Sequence, residues 1–158
     1  MPSLPNPIAG LSVCLDDNRL YIIGGYNLDE NVGCNAVAYL QSGSDNWVSV
    51  QPMNIAPKYR RVCVLDHIIY VLGIDDLEYN RNSLESYNPI TDTWELLLSN
   101  IDTTISRNSK LRAFEGKIYF EGREGCYCYD ILQKEITSRN CEMPSRMLIP
   151  QLNRDGNW

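Results

Sequence analysis

One pattern returns every 49 residues and dominates this sequence. Tyr21–Gly25 reads YIIGG, Tyr70–Ile74 reads YVLGI and Tyr119–Arg123 reads YFEGR, with Gly24, Gly73 and Gly122 each three residues after their tyrosine. The match extends upstream, where VCLDDNRLYIIGG, VCVLDHIIYVLGI and LRAFEGKIYFEGR each hold an apolar run, a polar turn centred on Asp or Gly, and a second apolar run. That order is a hairpin signal. Downstream, two segments repeat a strand ending in Tyr39 or Tyr87, a turn of Ser, Asp, Asn, Gly or Pro, and a strand holding Trp47 or Trp94. Alternation along Leu84, Glu85, Ser86 and Tyr87 predicts a half-buried strand. No helical period interrupts these units, so each predicts a small four-stranded sheet. Repeats of this length are the mark of stacked or radial arrays.

The chemistry of the recurring positions fits a radial array. Inner strands of such a sheet are crowded, and Cys14 and Cys63 recur there as small residues. The glycines allow close backbone approach. Trp47 and Trp94 are expected to fill space between sheets. The expected fold is therefore all-β, a partial propeller of about three four-stranded blades whose ring is incomplete. The third blade is degenerate: it keeps Gly122 alone, shortens the connection before Tyr127 and Tyr129, and places Ile136 where tryptophan is expected. The boundaries read as 1–10 for the tail of a preceding repeat, 11–59, 60–108 and 109–146 for three repeats, and 147–158 for the start of a further one. The chain is thus expected to be cut from a longer array or to belong to an oligomeric ring, since open sheet edges invite pairing.

A hydrophobic run, a glycine pair, a tyrosine strand and a tryptophan about twenty residues further on resemble the kelch repeat. Glu85–Leu97, ESYNPITDTWELL, is similar to the repeats of BTB-kelch (kelch-like) adaptor proteins. The resemblance gives structural roles to Tyr21, Gly24, Gly25, Trp47, Tyr70, Gly73, Tyr87, Trp94, Tyr119 and Gly122. It also implies ligand binding by two loop sets at one end of the blades. Those following the glycines hold Tyr26, Asn27 and Asp29, then Asp76, Glu78, Tyr79 and Arg81, then Arg123. Those preceding each first strand hold Lys58, Tyr59 and Arg60, then Arg107 and Asn108, then Arg146. Tyr and Arg are enriched at interaction hot spots, so a protein or peptide ligand is expected. The family resemblance implies substrate recognition for a cullin–RING ubiquitin ligase. The BTB and BACK domains that accompany it are absent from these 158 residues, so cullin binding falls on none of them. Actin binding, known in other kelch proteins, is the alternative, and a kelch-fold enzyme a further one.

Composition narrows the partners. A net charge of -6 does not suit phosphate neutralisation, so neither nucleic acid nor an anionic membrane surface is expected. No apolar stretch reaches the roughly 18 residues of a membrane span, and MPSLPNPIAG has no signal-peptide character. A cytoplasmic location follows as the expectation, with six reduced cysteines. His67 is the only histidine and sits in a turn; Cys126 and Cys128 lack zinc-ligand spacing; Gly24–Gly25 is not followed by Lys-Ser/Thr. No catalytic residue, metal set or cofactor is therefore expected.

Overall fold

Each copy of the repeat folds as its own antiparallel sheet in the computed structural model, which describes residues 9–27, 32–74, 82–101, 105, 106, 108–138 and 141–144. The first copy supplies β1 (Ser12–Asp16) and β2 (Arg19–Ile23), a short side pair β3 (Tyr26–Asn27) and β4 (Val32–Gly33), then β5 (Val37–Gln41) and β6 (Trp47–Val50). The second supplies β7 (Tyr59–Leu65), β8 (Ile68–Ile74), β9 (Ser83–Asn88) and β10 (Thr93–Leu98). The third supplies β11 (Leu111–Phe114), β12 (Lys117–Gly122), β13 (Gly125–Asp130) and β14 (Glu135–Ser138). Each sheet runs in sequence order, and its first strand lies beside the first strand of the next, β1 by β7 and β7 by β11. These strands therefore line a shared axis. No helix occurs among the described residues. β7 begins at Tyr59, which the sequence boundary gives to the preceding repeat.

The 49-residue spacing is a true structural equivalence. Tyr21 faces Cys14 across its hairpin, Tyr70 faces Cys63, and Tyr119 faces Arg112, the same step in each sheet. The turns are left-handed, with positive φ at Asp17, at Asp66 and His67, and at Glu115 and Gly116. That geometry matches the twist of tight hairpins.

The middle sheet is buried on both sides, which its apolar strand β8 allows. Side chains alternate across a strand. Ile69 and Val71 thus join Tyr21, Ile23, Val37, Met53 and Tyr87 at the boundary with the first sheet. Tyr70, Leu72 and Ile74 join Leu84, Leu111, Ile118, Phe120 and Tyr129 at the boundary with the third. Ile74, in the place of a second glycine, is fully buried there. The same geometry corrects the half-buried reading of β9: Leu84, Glu85, Ser86 and Tyr87 are all buried.

Tyr39 and Tyr87 are not counterparts, contrary to their similar settings in the sequence. Tyr39 pairs with Tyr21, whereas Tyr87 pairs with Ile69, one step away in the shared register. A one-residue slip turns a side chain to the opposite face. Tyr39 therefore points forward from the first sheet and Tyr87 backward from the second. Both meet Tyr21, at ring-centroid distances of 5.6 Å and 6.2 Å. Leu40 is the counterpart of Tyr87, since Leu40 pairs with Trp47 as Tyr87 pairs with Trp94 and Tyr129 with Ile136.

Trp94 crosses the boundary between sheets as expected. Its ring lies 5.0 Å from that of Tyr87, and its Nε1 donates to the Gln51 carbonyl of the first sheet's exit segment at 2.8 Å. The Asp92 carboxylate holds the same segment by accepting from Gln51 N, and it accepts from the Tyr87 hydroxyl as well. Burial, together with Asp92, raises the Tyr87 phenol above its ordinary pKa. Trp94→Phe deletes the N–H together with the five-membered ring that carries it, so folding stability should fall by at least about 1 kcal/mol in urea titration. Trp47 differs: it lies on the face of the first sheet turned away from the second.

Candidate binding surface

The glycine-pair end of the first sheet is shaped by backbone that favours glycine. Gly24 has φ +58 and Gly25 φ +126, which turns the chain sharply out of β2. Gly24 N donates to the Ala36 carbonyl and Cys34 N to that of Gly25, both at 2.9 Å. Tyr26 and Asn27, expected in a free loop, form β3; Tyr26 also exchanges backbone hydrogen bonds with Ala9. Asn27 is exposed and Tyr26 half-buried.

Arg60 requires a correction. It was expected to face a ligand, yet it is 2% exposed. Its guanidinium donates to the carbonyls of Gly25 at 2.9 Å, Pro57 at 3.0 Å, Lys58 at 2.7 Å and Ile23 at 3.3 Å. Arg60 is thus a latch that ties the second sheet to the glycine turn of the first. Burial lowers its pKa to about 10, so it stays charged at neutral pH, with carbonyl dipoles as its main partners. Lys58 and Tyr59 beside it are half-buried, and the Lys58 ammonium sits 5.6 Å from the Tyr59 ring centroid.

At the third sheet the two loop sets do converge. A cleft of about 400 Å³ is lined by Ser106, Asn108 and Ser109 from the segment entering β11 and by Glu121, Gly122 and Arg123 from the end of β12. Asn108 and Arg123 are exposed. Arg61 fixes one wall, donating from Nε to the Ser109 carbonyl at 3.0 Å. Glu121 is occupied by Lys110, accepting from its backbone N–H at 3.3 Å with its Nζ 3.6 Å away. The cleft therefore offers a guanidinium beside hydroxyl and amide groups, which suits a carboxylate with neighbouring polar groups. Asp29, Asp76, Glu78, Tyr79, Arg81, Arg107 and Arg146 lie outside the described residues.

A second cleft, of about 610 Å³, opens at the opposite ends of the first and second sheets. Asp16 and Asp17 meet His67 there: His67 Nδ1 lies 3.0 Å from Asp16 Oδ1 and 3.4 Å from Asp17 Oδ1. The three donors fall within 4.8 Å of one another, the spacing at which they could share a cation. As placed, His67 links the hairpin turns of neighbouring sheets. Sequence reasoning treated these turns separately and missed the grouping. The signal was available, because equivalent turns of successive repeats are spatial neighbours.

All six cysteines are unpaired, and burial pushes the thiols of Cys14 and Cys63 up to about 12. Cys126 is likewise raised to about 12 by burial and by the neighbouring Cys141. A thiol so raised is a poor nucleophile at neutral pH.

Comparison with known proteins agrees with the repeat geometry. The Kelch motif family matches residues 7–54. An F-box/kelch-repeat protein of Arabidopsis thaliana is 32% identical over 121 residues, covering 75% of this chain and 30% of that protein. Kelch-like protein 26 of Danio rerio is 32% identical over 83 residues, covering 50% and 14% respectively. Kelch-like protein 28 of Homo sapiens is 27% identical over 123 residues, covering 72% and 17%. The chain thus spans less than a third of each relative's length. The solved structure of YjhT superposes with a TM-score of 0.68 at 15% identity, over 92% of this chain and 54% of that one.

Proposed function

Because this chain is an array of kelch repeats forming part of a β-propeller, we propose that it is the protein-binding part of a cytoplasmic ubiquitin ligase adaptor. It grips a carboxylate-bearing segment of its substrate at the loop end of the third sheet. The observation that carries this reading is the cleft where Asn108 and Ser106 meet Arg123. These positions come from the two loop sets that the kelch resemblance associates with ligands. The adaptor role is supported by the company that kelch repeats keep in related proteins. By name, relatives combine them with an F-box or, in an ectromelia virus protein, with a BTB domain.

Charge reversal at Arg123 separates recognition from folding, because that side chain is exposed. Fluorescence anisotropy with a library of acidic peptides should show Arg123→Glu weakening the best ligand at least tenfold, since a hydrogen bond to a charged group contributes about 1.5–3 kcal/mol. Equal affinity in both proteins would remove the cleft from the binding site. Binding to filamentous actin in co-sedimentation, with no acidic peptide captured, would replace the adaptor reading by the cytoskeletal one.

A further inference from the structure

At the sheet ends opposite the glycine turns, two carboxylates and the chain's one histidine converge from neighbouring sheets. Asp16 closes β1, Asp17 begins the turn to β2, and His67 sits in the equivalent turn of the second sheet, 51 residues after Asp16. One oxygen of each aspartate approaches the same atom, His67 Nδ1, at 3.0 Å and 3.4 Å. An imidazole nitrogen carries at most one proton, so it serves one of these oxygens well and not both. Asp16 is 9% exposed, and a buried carboxylate without a counter-charge is costly. Among the described residues, no lysine or arginine forms an ion pair with Asp16 or Asp17. Arg19, which lines the same cleft, is committed to Gln41 Oε1 at 3.2 Å, to the Tyr21 hydroxyl and to the face of the Tyr39 ring. Asp66 adds a third carboxylate to the lining. The cluster thus holds more acceptor oxygens than its protons and cations satisfy.

We propose that Asp16, Asp17 and His67 hold a divalent transition-metal ion, with zinc the best match, as a clip between the first two sheets. One imidazole nitrogen and two carboxylate oxygens form a donor set for zinc that leaves a fourth position open. Bonds of about 2.1 Å place neighbouring donors roughly 3.0 Å apart at a right angle and roughly 3.4 Å apart at the tetrahedral angle. The two separations from Nδ1 match those edges, and all three donors lie within 4.8 Å of one another. The set therefore closes around an ion with little rearrangement. The adjoining cleft of about 610 Å³ leaves room for a water in the fourth position. The imidazole selects against magnesium and calcium, which prefer oxygen donors throughout. This inference is independent of the ligand assigned above.

Isothermal titration of the chelator-stripped 158-residue chain with zinc tests the site. One equivalent should bind, magnesium and calcium should bind far more weakly, and saturating zinc should raise the melting temperature by about 5 °C or more. Asp17→Asn and His67→Asn are the informative variants. Both side chains are mostly exposed, and asparagine tolerates their left-handed backbone, φ 50 and φ 60. Each should keep its β-rich circular dichroism and weaken zinc at least tenfold, the loss that even a supporting residue of a metal site brings. The six thiols are the competing zinc ligands, so cobalt serves as a second probe. Cobalt held by two oxygens and a nitrogen should lack the intense thiolate-to-metal charge-transfer band that cysteine ligation gives. That band at one equivalent would overturn the proposal, as would zinc affinity unchanged in either variant. So would calcium bound as tightly as zinc, or no uptake at millimolar zinc.

Discussion

Glu85→Leu should cost this protein about 3 kcal/mol of folding stability, a loss drawn from unsatisfied donors rather than from lost packing. Glu85 is 1% exposed and sits on β9, the third strand of the middle sheet. Its carboxylate accepts from Asn54 N at 2.9 Å, from Asn54 Nδ2 at 2.8 Å and from Ile55 N at 3.1 Å. The middle sheet thereby holds the segment that leaves the first sheet and returns to the axis. Leucine has nearly the right volume and no acceptor. Two backbone N–H groups and one side-chain amide would lose their partner together. Asn54 is exposed, so water can reclaim part of the loss, and the figure stays below the sum of three fully buried bonds. Glu85→Gln keeps one acceptor oxygen and should cost roughly half as much. Urea denaturation of the three proteins side by side decides the matter. If Glu85→Leu matches or exceeds the parent in midpoint, the carboxylate is not what holds the segment.

Glu85 also shows where the sequence stops being readable. In ESYNPITDTWELL its acidity and the alternation around it predict one wet face, the usual state of an antiparallel strand. Burial on both faces is a property of the neighbours, not of β9: the first sheet closes one side and the third sheet the other. Arg60 hides for the same reason. A basic residue at the start of a strand reads as a loop cation, and only the packed glycine turn of the preceding sheet reveals carbonyls arranged to receive it. Tyr39 and Tyr87 were misread by one step, because a tyrosine before a polar turn carries no information about register. What was legible was whatever the repeat itself encodes. The spacing of Tyr21, Tyr70 and Tyr119 returned three equivalent sheets and the decay of the third, down to Ile136 in the tryptophan position. The cleft at Asn108 and Arg123 was legible only in outline. The resemblance named both loop sets, but their meeting depends on how β11 and β12 are joined.

The glycine turn of the first sheet should tolerate a side chain poorly at Gly24. Gly24 has φ +58, and a Cβ there would lie 2.5 Å from Arg60 Nη1 and 2.8 Å from the Cys34 carbonyl oxygen. Left-handed backbone alone costs a side-chain-bearing residue about 1–2 kcal/mol. Gly43 provides the control, with φ +79 and nothing within 4 Å of the added carbon. Gly43→Ala should therefore register the backbone cost alone, about 1 kcal/mol. Gly24→Ala adds a collision with rigid backbone at Cys34 and displaces the guanidinium from the Gly25 and Ile23 carbonyls. Once moved, Arg60 is a buried cation without its full set of dipoles, which is costly. The total should reach about 3–4 kcal/mol, most of it beyond the conformational term. Because the collision involves the latch, Arg60→Met should cancel part of the Gly24→Ala penalty, so that the double variant loses less than the sum of the two single losses. Equal losses for Gly24→Ala and Gly43→Ala would show that close approach at the latch contributes nothing. Strict additivity with Arg60→Met would show that the clash is borne by the Cys34 carbonyl instead.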